Sequence, residues 1–200
     1  MFASIEGKIV LLEPTFVHLE TNGIGYEIKI SLSSYSLLKN KPTAKLYTHV
    51  VLSDQTHTFT LFGFSELIEK KVFLDLTSVS GIGPNTALTI LSSLNISELQ
   101  NAIIREDIRL VQSIKGIGPK TAQRVILELK DKFKKENLTN VSMVAGVATN
   151  ISSIRNDALS ALLALGIPKP AAERTIDQIL KGSEKEYTTE ELIKIALKSA

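Results

Sequence analysis

The sequence predicts an α+β protein of several small domains: a β-barrel, an all-α domain with a repeated turn, and a short helical bundle. Three observations carry this expectation. Apolar residues alternate with period two from Met1 to about Gly63, recur at helical spacing from Ser65 to about Glu136, and return to helical spacing after a stretch without clear period. The expected domains are residues 1–63, 64–136 and 152–200, with a flexible linker at 137–151.

In the first segment Ile5, Gly7 and Ile9 form one alternating run, Val17 and Leu19 a second, and Ile24, Tyr26, Ile28 and Ile30 a third. Turn-forming residues separate them at Glu13-Pro14-Thr15 and Thr21-Asn22-Gly23, and two more strands are expected at Lys45–Leu52 and Thr58–Phe62. Five short strands suggest a small closed barrel, an architecture that implies no function by itself.

In the second segment "LIEKKVFLDL" spaces Leu67, Lys71 and Leu74 as neighbours on a helix, with Ile68 and Val72 beside them. The chain then says nearly the same thing twice: "SGIGPNTALTIL" at Ser80–Leu91 and "KGIGPKTAQRVI" at Lys115–Ile126. Each copy lies between helical stretches. A proline directly after the second glycine suits the first turn of a new helix, where its fixed φ and missing N–H cost nothing. Each copy is therefore expected to be a helix, a tight turn and a second helix.

Residues 137–151, "NLTNVSMVAGVATNI", mix small and polar types and read as the linker. Beyond them "SSIRNDALSALLALGI" ends at Gly166, "PKPAAERTIDQIL" begins with prolines, and "TTEELIKIALKS" opens on a capping box from Thr188 to Glu191. Three short helices can bury only a small core, and Leu162, Leu163, Leu165 and Ile167 are expected to be mostly core, with any apolar patch left exposed serving as a partner site.

Composition narrows the function classes. The 200 residues include 44% hydrophobic and 22% charged types, as in an ordinary soluble protein. With no cysteine there are no disulfides or thiolate metal sites, and no apolar run approaches the roughly 18 residues of a membrane span; a cytoplasmic location is expected. The net charge of +2 is unevenly placed: residues 1–63 carry five basic and five acidic side chains, 64–137 eleven and nine, and 138–200 seven and seven. Between Leu110 and Lys135 stand Lys115, Lys120, Arg124, Lys130, Lys132, Lys134 and Lys135 against Glu128 and Asp131. Such a run is either a solvated helix face or a polyanion contact.

The repeated turn favours the second. A Gly-x-Gly turn entering a helix presents unpaired backbone N–H groups at the positive end of the helix dipole, which is an anion site. Glycine permits φ > 0 and lets a phosphate oxygen approach the amides. Ile82 and Ile117 are expected to point inward and anchor each turn, while Lys120, Thr121 and Arg124 lie in the first turns of the following helix, placed for charge-assisted contacts. One Gly-x-Gly could be a mere helix corner. Two copies of Gly-x-Gly-Pro-x-Thr-Ala argue for a shared ligand, and two related hairpins suit the two strands of a duplex.

Other chemistry fits poorly. A nucleotide-binding loop requires Gly-x-x-x-x-Gly-Lys-Ser/Thr, but Pro119 precedes Lys120; the dinucleotide fingerprint requires glycine where Thr86 and Thr121 stand. His18, His49 and His57 show no ligand spacing, and Glu106-Asp107 and Glu190-Glu191 lack a third acid at useful distance. No catalytic residue, metal or cofactor is expected.

In order and wording these pieces resemble the bacterial RuvA family of Holliday junction branch migration subunits. The resemblance runs the length of the chain and rests on "TNGIGYEI" at Thr21–Ile28, "LFGF" at Leu61–Phe64, "GIGPKTAQRVILELKDK" at Gly116–Lys132 and "ALLALGI" at Ala161–Ile167. It implies an OB-fold barrel, a tandem helix-hairpin-helix domain, and a UBA-like three-helix tail that docks on the RuvB hexameric motor ATPase. It implies a homotetramer, or an octamer of two facing tetramers, that holds four-way junction DNA open in a square during recombination and repair. The motor consumes the ATP, and a RuvC-type junction resolvase is a further partner. Carried over by position, DNA contacts fall on Gly81, Gly83, Asn85 and Thr86 in the first hairpin and on Gly116, Gly118, Lys120, Thr121 and Arg124 in the second. Leu162, Leu165 and Ile167 are the implied motor-facing residues.

Two departures stand out. Family members often carry lysine where this chain has Asn85, which leaves the first hairpin to its amides and Thr86 and the second to carry more of the electrostatic binding. The family's acidic pin usually has two adjacent acids, whereas Asp54 stands alone between Ser53 and Gln55. The alternative reading is a structure-specific repair nuclease, or its DNA-binding accessory subunit, using the same hairpins.

Overall fold

A computed structural model describes residues 2–52, 57–144, 150–181 and 187–199. Asp54 and residues 145–149 of the expected linker lie outside the described residues.

Strands β1 (Ser4–Glu13), β2 (Phe16–Thr21), β3 (Ile24–Lys29), β4 (Thr43–Leu52) and β5 (Phe59–Phe64) close into a barrel in the order β1-β2-β3-β5-β4. The ladders are antiparallel except where β3 meets β5, with Ile28 opposite Leu61 and Lys29 opposite Phe62. Period-two alternation sends Val17, Leu19, Ile28 and Leu46 inward, all fully buried. The alternation in β1 fades after Ile9 because the register against β2 shifts between Ile9 and Leu11, the signature of a bulge.

A short helix that sequence periodicity missed, α1 (Leu32–Leu38), crosses from β3 toward β4. Seven residues make two turns, too few for a helical period to show, and the start is set locally: the Ser31 hydroxyl accepts from the Ser34 amide at 3.0 Å.

Five helices follow: α2 (Leu67–Ser78), α3 (Pro84–Ser93), α4 (Ile96–Ile104), α5 (Ile108–Gln112) and α6 (Pro119–Val144). α4 joins the two hairpins and starts on a capping box in which the Glu98 amide donates to Asn95 Oδ1 and the Asn95 amide to Glu98 Oε2. The barrel and these helices share one core, because Phe62 and Phe64 of β5 meet Phe73 of α2 at ring-centroid distances of 5.2 and 4.9 Å. Residues Met1–Lys135 accordingly form one compact unit. α6 runs on to Val144, eight residues into the stretch read as linker; no glycine or proline interrupts the sequence before Gly146.

The second unit contains α7 (Asn150–Ala164), α8 (Lys169–Lys181) and α9 (Thr189–Ser199). Its small core comprises Ala158, Leu162, Ala172, Ile176, Leu192 and Ala196. Reciprocal bonds between Thr188 and Glu191, at 3.1 and 3.2 Å, open α9. Among the described residues no helix is long and apolar enough to cross a membrane.

Candidate nucleic-acid interface

The two turns repeat each other bond for bond. In the first, the Ile82 amide donates to the Val79 carbonyl at 3.0 Å and the Ala87 amide to Gly83 at 2.9 Å; in the second, Ile117 donates to Ile114 at 3.1 Å and Ala122 to Gly118 at 2.9 Å. Gly81 has φ +94° and Gly116 φ +90°, the left-handed region that glycine enters without strain. Ile82 and Ile117 sit in the core at 5% and 6% exposure and pin each turn from inside, so the glycines face outward.

Each turn delivers the chain into a helix that begins at a proline directly after a glycine. Gly83 caps α3 in extended conformation, and neither Gly83 nor Gly118 has a side chain that could accept from the amides behind it. Those amides keep their donors for an external acceptor at the positive helix end. A Cβ built at Gly83, Gly116 or Gly118 would meet no atom within 4 Å, so these faces open outward.

The two turns lie side by side. Arg124 of α6 donates from Nη1 to the Ser80 carbonyl, the residue before Gly81, at 3.1 Å, and a Cβ at Gly81 would lie 4.0 Å from Thr121 Oγ1. Arg124 is thus more than a cation of the second hairpin: one of its five N–H donors ties the hairpins together and the others stay available. The ion pair of Lys132 with the buried Asp75 joins α6 to α2 behind them. Lys120 is exposed on the first turn of α6, next to Thr121.

Asn85 occupies in the first hairpin the position Lys120 occupies in the second. Its Oδ1 accepts from Lys29 Nζ of β3 at 3.3 Å, across 56 positions of sequence. Lys29 is half-buried and its ammonium lies 5.9 Å from the Phe62 ring centroid. Both residues line a cleft of about 600 Å³ between the barrel and α3, which Thr15, Thr89, Ser92 and Lys115 also border. No local sequence signal could reveal Lys29, since its place depends on how the barrel docks.

In the tail the structure corrects one implied contact. Leu162 is fully buried in the bundle core, because its spacing from Ala158 turns it toward α8 and α9. Ile167 is half-buried against that core, and Leu165 is 62% exposed. Among the described residues no group of three or more His, Cys, Asp or Glu is placed to hold a metal ion.

Barrel, doubled turn and tail together define the class: a small β-barrel fused to a tandem helix-hairpin-helix module, followed by a three-helix domain. Family models match in the same order, the RuvA N terminal domain over residues 1–63, the SAM-like helix-hairpin-helix tandem over 73–131 and the RuvA C-terminal domain over 153–200. Proteins named Holliday junction branch migration complex subunit RuvA are similar over nearly their whole length: 52% identical in Cytophaga hutchinsonii, with 99% of each chain covered, and 44% in Amoebophilus asiaticus, with 99% of this chain and 100% of that one. The relative in Bacteroides fragilis is 40% identical with 99% of each chain covered. The chain belongs to the RuvA family of Holliday junction branch migration complex subunits.

Proposed function

We propose that this chain binds four-way DNA junctions through phosphate contacts made by its paired turns, without reading base sequence, and holds the junction open as a homotetramer or a pair of tetramers. The observation that carries this reading is the repetition of one outward-facing, amide-presenting turn in two adjacent copies. Backbone donors and lysines recognise phosphate and carry no sequence information, so binding should be salt-dependent and base-blind. The chain works as a non-catalytic subunit: a RuvB-type hexameric motor, recruited through the tail face that exposes Leu163 and Leu165, hydrolyses the ATP, and a RuvC-type resolvase acts on the same complex.

Fluorescence anisotropy with a synthetic four-way junction and a linear duplex of the same composition, across a salt series, tests the reading. Tighter junction binding, weakening steeply with salt, is the expected result. Equal affinity for the two DNAs would overturn junction specificity, and cleavage of a labelled junction by the chain alone would replace the reading with the nuclease one.

A further inference from the structure

The first hairpin lacks a cation of its own where the second has Lys120, and the barrel places one there. We infer that Lys29 is a phosphate-binding residue of the first hairpin, supplied from β3 to the position that Asn85 leaves neutral. The inference rests on the reading of the turns as phosphate sites.

The two copies provide the reference. Gly83-Pro84-Asn85-Thr86 and Gly118-Pro119-Lys120-Thr121 enter their helices through the same hydrogen bonds, so Asn85 and Lys120 occupy equivalent places beside equivalent amides. At Lys120 the charge is carried by the helix itself. At Asn85 it arrives from another element: Lys29 Nζ sits 3.3 Å from Asn85 Oδ1, and the backbone that carries it is held by the pairing of Lys29 with Phe62 across β3 and β5. The amide oxygen of Asn85 orients the ammonium without neutralising it, leaving two of its three N–H donors for an acceptor.

The surroundings keep that charge available. Among the described residues no carboxylate pairs with Lys29, and the one acid that lines the cleft, Glu27, is engaged by His18 Nε2 at 3.2 Å. Lys115, from the turn of the second hairpin, borders the same cleft together with the hydroxyl-bearing Thr15, Thr89 and Ser92. The Ser92 hydroxyl accepts from the Leu32 amide at 3.1 Å, a second bond that holds this barrel end against α3. Lys29 is therefore presented at a fixed position, which lowers the ordering cost a free lysine would incur on meeting phosphate.

The test measures binding of the full chain to a synthetic four-way junction across a salt series, for Lys29→Gln, Lys29→Met, Asn85→Lys, the double variant Lys29→Gln with Asn85→Lys, and Lys120→Ala as the reference. Each neutralised phosphate contributes about 0.9 to the slope of log affinity against log salt. Lys29→Gln and Lys29→Met should each flatten the slope by about that amount, with thermal midpoints confirming the fold. Asn85→Lys should restore the slope in the Lys29→Gln background and add less in the wild type, because two cations then share one phosphate. If Lys120→Ala flattens the slope and neither Lys29 variant does, the Lys29 assignment is wrong and the hairpin reading survives. If Lys120→Ala has no effect either, both fall. Failure of Asn85→Lys to rescue would also overturn the assignment, since it would show that positions 29 and 85 serve different contacts.

Discussion

The first and second hairpins have one backbone and two kinds of support. The first begins with the twelve-residue α2 and is fastened to the barrel, by Lys29 on Asn85, by the Leu32 amide on the Ser92 hydroxyl and by Ser31 and Ser34 on Glu69. The second begins with the five-residue α5 and is fastened to the first, by Arg124 on the Ser80 carbonyl and Lys132 on Asp75. The backbone geometry of the proposed phosphate sites therefore resides in the glycines, which the copies share, while charge and anchorage come from whatever element lies next to each copy. A repeat preserved in shape need not be preserved in how it is held.

The shared part should give the largest effect. Gly83 and Gly118 have backbone angles open to any residue, and a methyl group at either meets nothing within 4 Å, so alanine there should leave the fold nearly intact, at a cost of about 0.5–1 kcal/mol for a poorer cap. Under the proposed function, the same methyl would occupy the approach of a phosphate oxygen to the amides. With charge-assisted hydrogen bonds contributing about 1.5–3 kcal/mol each, Gly83→Ala and Gly118→Ala should each weaken junction binding by about ten- to a hundredfold. Near-normal binding by both variants, measured beside unchanged melting curves, would remove the amides from the contact.

Arg124 tests the coupling between copies, and a smaller effect is expected. Lysine at 124 keeps the charge but cannot reach the Ser80 carbonyl as a planar guanidinium does while still presenting further donors. Arg124→Lys should lower junction affinity about three- to tenfold with the salt slope retained, whereas Arg124→Ala should lower both. Wild-type affinity in Arg124→Lys, with Arg124→Ala still impaired, would reduce Arg124 to a charge and leave the hairpins independent.

Much of this was legible in the sequence because it is written in short-range signals. Alternating Val17, Leu19 and Ile28 marks the barrel, Gly-Ile-Gly-Pro marks both turns, and Thr188 with Glu191 marks the start of α9. What escaped depends on contacts between distant segments. α1 is too short to show a period, the bulge in β1 breaks one, and Lys29 reaches Asn85 only after β3 pairs with β5. Leu162 is read as core from its apolar run and is core in the structure, while the motor-facing role implied by the resemblance is not compatible with its burial; only packing against α8 and α9 decides which of the leucines at 162, 163 and 165 faces inward.

The anchorage of the first hairpin carries the smallest and most specific prediction. Glu69, in the first turn of α2, is 3% exposed; the Ser34 hydroxyl donates to its Oε2 at 2.6 Å and the Ser31 hydroxyl to its Oε1. Burial raises its carboxyl pKa above the ordinary 4.5, an effect larger than the opposing pull of the serine hydroxyls. The folded state thus prefers the protonated form, so the contribution of Glu69 to stability is fully present below the ordinary glutamate pKa and is lost as pH rises through the raised one. Glu69→Gln is neutral throughout and does not suffer that loss. The thermal midpoint of the variant relative to the wild type should therefore climb by a few degrees between about pH 4 and pH 7, with no counterpart in variants confined to the second hairpin. A difference that stays flat or falls with pH would show that the serines, rather than burial, set the protonation of Glu69, and that the barrel holds the first hairpin through an ionised carboxylate.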